Sequence, residues 1–539
     1  MLRARALYLL WTVALCALYC LHFRHLLADF PNDSPWMDFS KYTDEGWYAN
    51  AAIRHFLLGR WYLPGDFNPA VAVPVWPLLL AGVFRFTGVS LAAARATVLC
   101  VLGLNLVLVY ALIRARAPRW AALLAVTLLL ANPFLYAFSR LAILEPLSFA
   151  FLLCSWLTAL RLPSASARAR VPLLILTGFL LCLLVLAKTT GIFLIPSTLF
   201  LVSWACGFRL RPTLRAIAIT SLAAALPWSA WYWLAIRPRY LNDFRYFFSA
   251  NSWPIPDTLT GKLAAFWYAL HGTLWISPAL CITVIVLLLL TLIAACRSVF
   301  WRNPLVPASL LAIAGTLFFI GWQNRPAPRY YEAVIFPLCI PAVLAVAHLF
   351  EARAVNQSDS PSPPLRARKT LALLPRIAAA AALVALSIVS INGIVHTIRY
   401  VRHPQYTWLT AATNLTRYID THPAPNRLLL SISGDQIALT THLPAICDDY
   451  GPWDLPYRIH VYQPSWYAAW NAIDDDTLAD LQTQFSIEQV AAFPAFDAAE
   501  RDLLILYRLH PLPADKQWFP AKPQNSLDPG RSPSSPADP

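Results

Sequence analysis

The chain has 539 residues, 58% of them hydrophobic and 13% charged, with a mean hydropathy of +0.53. A soluble protein of this size carries about 25% charged residues, so a water-soluble globule is excluded. The net charge of +14 does not mark a nucleic-acid binder: the basic residues lie in short clusters between apolar runs, as the cytoplasmic loops of membrane proteins do.

The N-terminus (MLRARALYLLWTVALCALYCLHF) has a basic start and an apolar run without a small-residue cleavage signal, and reads as a retained signal anchor. Next comes Asp44-Glu45-Gly46-Trp47-Tyr48. Adjacent carboxylates beside a membrane are costly unless they face water, a cation or a ligand. Residues 46–61 then read as an amphipathic helix with Trp47, Tyr48, Ala51, Ala52 and Phe56 on one face and Arg54 off it. Such a helix is expected to lie in the interface plane with its rings at headgroup depth.

Apolar runs predict spans at 6–26, 93–113, 119–138, 146–162, 172–187, 191–207, 216–235, 272–295, 304–322, 329–350 and 373–396. Segment 73–88 is short and carries two prolines and Arg85, so it is expected to be re-entrant or interfacial. With the N-terminus cytoplasmic and 73–88 not crossing, the cytoplasmic segments hold 17 Lys or Arg against Glu351 and Asp359. The expected fold is thus a polytopic α-helical membrane protein of about 11 spans with its C-terminus outside. Nine of the ten cysteines lie in or beside apolar runs; Cys447 alone lies in the polar C-terminal region, with no CxxC pair for zinc.

Residues 351–369 read as a flexible cytoplasmic linker. Beyond about residue 400 the pattern predicts a helix at QYTWLTAATNLTRYIDTH, a strand at 427–433, a turn at Gly434-Asp435, a helix at 476–485 and strands at IEQVAAFPAF and LLILYRL. This predicts a small α/β domain at 400–513 after a membrane domain at 1–399. Residues 514–539, rich in Pro, Ser and Asp, are expected to be disordered, and CDDYG (447–451) to be a solvated acidic loop.

The topology puts Asp44, Glu45, Arg140, Glu145, Lys188, Arg325 and Arg329 on the external face at span ends. External Lys and Arg oppose the topological rule, and an anionic ligand would explain them. Carboxylates deprotonate a hydroxyl or hold a cation; Arg and Lys hold a phosphate as it leaves. Together they suit transfer from a lipid phosphate.

The order DEGWYANAA (44–52), AAARATVL (92–99), SRLAILEPLSFAFLL (139–153), AKTTGIFLIP (187–196) and PAPRYYEAVIFPLCIP (326–341) resembles the GT-C superfamily of polyprenyl-phosphate-sugar glycosyltransferases, nearest the bacterial relatives of protein O-mannosyltransferases and of the lipid A aminoarabinose transferase. The resemblance implies a sugar moved from a polyprenyl-phosphate donor to an acceptor hydroxyl or amine of a glycan, lipid or protein at the bilayer's outer face, in the inner membrane of a cell. It implies Asp44 as general base, Glu45 as its assistant, Glu145 as the second external acid, Arg95 and Arg140 as supports of donor or acid, and Lys188, Arg325 and Arg329 as phosphate contacts. The chain departs from the family at NPAVAVPVWP, where a Lys or His is expected before the prolines, and by carrying Glu145 where Asp is usual. A divalent cation is left open, since Asp44, Glu45 and Glu145 have the chemistry to hold one. The competing readings are a transporter or flippase, which would need midplane charges and inverted repeats that the sequence does not show, and a non-catalytic envelope assembly factor.

Overall fold

The computed structural model describes residues 2–29, 40–250, 258–271, 277–295, 298–323, 328–351, 365–495, 501–513, 515 and 517–518. Arg325, most of the linker at 351–369 and nearly all of the tail at 514–539 lie outside these residues.

Helix α1 (Leu2–His22) leads to a π-helical turn, Ser40–Asp44, that runs into α2 (Glu45–Leu58). Then come α3 (Val75–Thr87), α4 (Leu91–Arg114), α5 (Arg119–Leu130), α6 (Pro133–Phe138) and α7 (Glu145–Arg161). The expected span 119–138 is broken at Asn132, whose side chain caps α6 by accepting from Phe134 N at 2.9 Å. Next are α8 (Ala167–Ala187), α9 (Ile195–Ala205), α10 (Leu210–Trp231), α11 (Leu241–Ala250), α12 (Leu259–His271) and α13 (Ser277–Ala295). The short α14 (Ser298–Trp301), then α15 (Leu305–Gln323), α16 (Glu332–Glu351) and α17 (Leu365–Arg402) complete the membrane part.

Among the described residues eight helices are long and apolar enough to cross a bilayer, so this is a multi-pass membrane protein. Helix α3 is not one of them. Its 13 residues reach about 20 Å, short of a hydrocarbon core of about 30 Å. It packs instead on α2 and α4. The bundle core joins residues from α4, α5, α7, α13, α15 and α16, with Trp156 fully buried and Phe149 stacked on Phe336 at 5.3 Å.

The C-terminal region forms α18 (Thr407–Thr421), α19 (Gly434–Thr441), α20 (Leu455–Tyr462) and α21 (Asp475–Gln482) around a five-stranded sheet. Its strands are β1 (Leu429–Leu430), β2 (Ala445–Ile446), β3 (Trp466–Trp470), β4 (Phe485–Pro494) and β5 (Leu503–Pro511), in the order β2-β1-β3-β5-β4. β1 runs parallel to β2 and β3; β5 runs antiparallel to β3 and β4. The turn expected at Gly434-Asp435 is the start of α19 instead. Asp435 sits in its first turn, where a carboxylate is favoured by the helix dipole.

Two cores tie this region to the first loop. Tyr42, Ala49, Ala52, Ile53 and Trp76 share one cluster with Trp408, Ala411, Leu415, Ile437 and Trp466. Leu63 packs with Leu430, Ile446 and Tyr467 of the sheet and with Ile459 of α20. These contacts overturn two expectations. α2 lies against α3 and α19, and Trp47 turns to the C-terminal region rather than to headgroups, its indole donating to Ile432 O at 3.2 Å. CDDYG is solvated only in part: Asp449 is exposed, whereas Cys447 packs with Phe67, Ala72 and Phe247, and Asp448 is buried.

Candidate active site

Four segments far apart in the chain end at one place. Asp44 closes the π-helical turn before α2; its backbone is helical (φ −62°, ψ −36°) and its carboxylate makes no capping bond. Glu145 begins α7, followed by Pro146. Lys188 ends α8 in an extended conformation (φ −155°, ψ 123°) before the turn Thr189–Leu194. Arg329 lies in the 3-10 turn Pro328–Tyr331 that leads into α16. Helix polarity suits these placements, with acids at the starts of α2 and α7 and a cation at the end of α8.

The side chains interlock. Arg329 Nη1 pairs with Asp44 Oδ2, and its Nε lies 3.8 Å from Glu145 Oε1. Lys188 Nζ donates to the same Glu145 oxygen. Tyr330 spreads its ring beside both cations, 5.1 Å from Lys188 Nζ and 5.4 Å from Arg329 Cζ. Asp44 and Glu145 are 4% and 2% exposed, so each needs the charge it faces. Next to them Glu145, Lys188, Tyr330, Ser148, Thr190 and Thr316 help to line a cavity of about 20 Å³, room for about one or two waters.

Glu332 belongs to the same neighbourhood and was not singled out from the sequence. It opens α16, is fully buried, interacts electrostatically with Glu145 and Lys188, and neither carboxyl oxygen has a hydrogen-bond partner among the described residues. The signal was an acid immediately before an apolar run, which is costly without a reason.

The other expected site residues serve as braces. Glu45 is fully buried and accepts from Arg95 Nε at 2.7 Å, Arg95 Nη2 at 2.6 Å, Ala142 N at 2.8 Å and Gln436 Nε2 at 3.2 Å. Arg95 also donates from Nη1 to Leu26 O and Ala28 O. Arg140 donates to Tyr136 Oη, Arg24 O and His25 O and lies against the rings of Tyr136 and Tyr400. These bonds fasten the first loop to the bundle. Asp44, Glu45 and Glu145 do not assemble as a metal donor set: among the described residues no group of three or more His, Cys, Asp or Glu is placed to hold a metal ion.

A second buried network joins the first loop to the C-terminal region. Arg54 donates to Asp66 Oδ2 at 2.6 Å, Phe67 O and Asn68 Oδ1, and lies 3.5 Å from Asp435 Oδ1. Asn68 reaches Asp243 Oδ1 at 2.9 Å, and Tyr62 donates to its other oxygen at 2.5 Å. Burial raises the Asp435 carboxyl, with Arg54 opposing the rise. Burial, aided by Asp449, pushes Asp448 up to about 7.

This bundle, with its folded first loop and C-terminal cover, is the GT-C fold. ArnT from Cupriavidus metallidurans bound to undecaprenyl phosphate superposes with a TM-score of 0.61 at 16% identity, over 92% of this chain and 98% of that one. Its apo form gives 0.60 at 16% identity, over 94% and 98%. The oligosaccharyltransferase of Archaeoglobus fulgidus in the apo form gives 0.50 at 14% identity, over 85% and 69%. No protein-family model matches the chain, and no curated protein does.

Proposed function

We propose that this protein is an integral-membrane glycosyltransferase, with a hexosyltransferase or mannosyltransferase-like activity, that moves a sugar from a polyprenyl-phosphate donor to a hydroxyl or amine of an extracytoplasmic glycan, lipid or protein. The observation that carries the reading is the convergence of Asp44, Arg329, Glu145 and Lys188, drawn from four segments, beside a small cavity. The fold shared with ArnT, solved with undecaprenyl phosphate, supports the class of donor.

In this mechanism Asp44 takes the acceptor proton as the acceptor oxygen or nitrogen bonds to the sugar C1. The C1–O(phosphate) bond breaks on the opposite face, and its electron pair leaves on the polyprenyl phosphate. Lys188 and Arg329 stabilise that growing charge, and Glu145 holds the two cations at the mouth. A single displacement inverts the anomeric centre. The orientation that serves this chemistry has the N-terminus in the cytoplasm of a cell with the protein in its inner membrane, residues 1–399 as the transfer domain and 400–513 as an extracytoplasmic cover.

The test uses purified full-length protein and undecaprenyl-phosphate sugars extracted from bacterial membranes, with membrane extract as acceptor. Release of free undecaprenyl phosphate is expected from the wild type and not from Asp44→Asn. A wild type that releases none, or a D44N variant that turns over normally, ends the assignment.

A further inference from the structure

The C-terminal region grips the polypeptide on both sides of Asp44. Before it, the ring of Tyr42, 1% exposed, packs on Trp408 at 5.2 Å and on Trp470 at 6.0 Å. After it, the Trp47 indole donates to Ile432 O. Between them, α19 sets its first turn directly on the first turn of α2. A Cβ on Gly46 would lie 2.2 Å from Gln436 N and 2.4 Å from Asp435 C, so the two backbones meet with no room for a side chain.

One side chain closes this contact. Gln436 is fully buried; its Oε1 accepts from Gly46 N at 2.8 Å, and its Nε2 donates to Glu45 Oε2 at 3.2 Å. The residue at 436 must offer an acceptor to a backbone N–H and a donor to a carboxylate at once, and a neutral amide does both. A carboxylate there would face Glu45; a thioether would take the acceptor from Gly46 N–H in a buried place and one of the donors from Glu45. Glu45 is in turn fixed by Arg95 and Ala142 N. The residue preceding this clamp is Asp44, whose own side chain takes no part in it and is turned to Arg329.

We infer that Gln436 is a positioning residue for Asp44, so that the C-terminal region aims the catalytic carboxylate by locking the first turn of α2. The inference rests on the reading of Asp44 as the base. It gives the C-terminal region a part in the chemical step itself.

The experiment compares wild type, Q436M, D44N and the double variant in the full-length chain, using the undecaprenyl-phosphate-sugar release assay and a melting curve for each. Q436M keeps the volume and removes both hydrogen bonds. kcat is expected to fall by on the order of 100-fold, the scale of misplacing a group by about an ångström, while KM for the lipid donor stays at the wild-type value, because Lys188 and Arg329 are untouched. In the D44N background Q436M should cost nothing further, since the group it aims is gone. If Q436M does not accumulate as folded protein, Q436N, which keeps a neutral amide but shortens its reach by one methylene so that it cannot span Gly46 N and Glu45, is read the same way. A raised KM with unchanged kcat, or losses that multiply in the double variant, overturns the positioning role. An active D44N ends the base assignment, whereas an inactive D44N beside a fully active Q436M ends this inference alone.

Discussion

Arg329 closes an ion pair on Asp44, joining the turn that opens α16 to the turn that opens α2. The same guanidinium leans on Glu145. The acid that the resemblance assigns as base therefore sits in a cluster where Arg329 and Lys188 face it and Glu145, and its removal has a defined effect.

Asp44→Asn leaves Arg329 beside Glu145 and removes the proposed proton acceptor. General-base catalysis accounts for about 10²–10⁴ in rate. Release of free undecaprenyl phosphate should fall by that factor or more, measured on variant protein that a melting curve shows to be folded.

Lys188→Met leaves Glu145, 3% exposed in its side chain, facing Arg329 Nε at 3.8 Å as its remaining ion-pair partner among the described residues. Breaking a buried pair costs about 3–5 kcal/mol, while replacing both partners is often near neutral. The K188M/E145Q double variant should therefore melt above K188M. A double variant no more stable than the single would refute the pairing.

Gly46→Ala drives a methyl into the backbone of α19. Overpacking of this kind costs about 1–3 kcal/mol, and here the neighbour is main chain, which yields least. Limited proteolysis should then cut beyond residue 400 faster than in the wild type. An unchanged cleavage rate would mean that α19 does not seat on α2 in solution.

The Asp448 carboxyl is raised from 3.8 to about 7 in the folded protein. Since the folded value lies above the unfolded one, its contribution to stability is present below about pH 4 and lost as pH rises through about 7, at up to about 1.4 kcal/mol per pH unit. Burial raises Asp435 and Asp449 in the same direction. Asp448→Asn can still accept from Tyr467 Oη, 2.9 Å away in the wild type, and carries no charge. Its melting temperature should decline less between about pH 5 and about pH 8 than that of the wild type.

Much of the architecture was legible because bilayers impose length. Runs of about 20 apolar residues and basic cytoplasmic loops leave few alternatives, and the 13-residue α3 fits the same rule by falling short. Asp44, Glu145, Lys188 and Arg329 were legible as charges stranded at span ends. Which of those charges meet was not. Arg95 and Arg140 carry the same charge as Arg329, yet they are drawn into carbonyl braces from the segment after α1 and, for Arg95, a carboxylate brace from α2. α2 was misplaced because amphipathicity shows that a face is covered without showing by what; here the cover is α19, about 390 residues on. Glu332 escaped notice because a single acid beside an apolar run carries no period.

The mutual satisfaction of Asp44, Arg329, Glu145 and Lys188 bears on timing. An anion reaching this mouth meets cations that already hold carboxylates, so it enters by exchange, parting one of them from its partner. If Arg329 is the one that changes hands, arrival of the donor is what unleashes Asp44. On the proposed function, a base kept quenched until its substrate docks would stay silent between turnovers, and the ion pair would double as a latch.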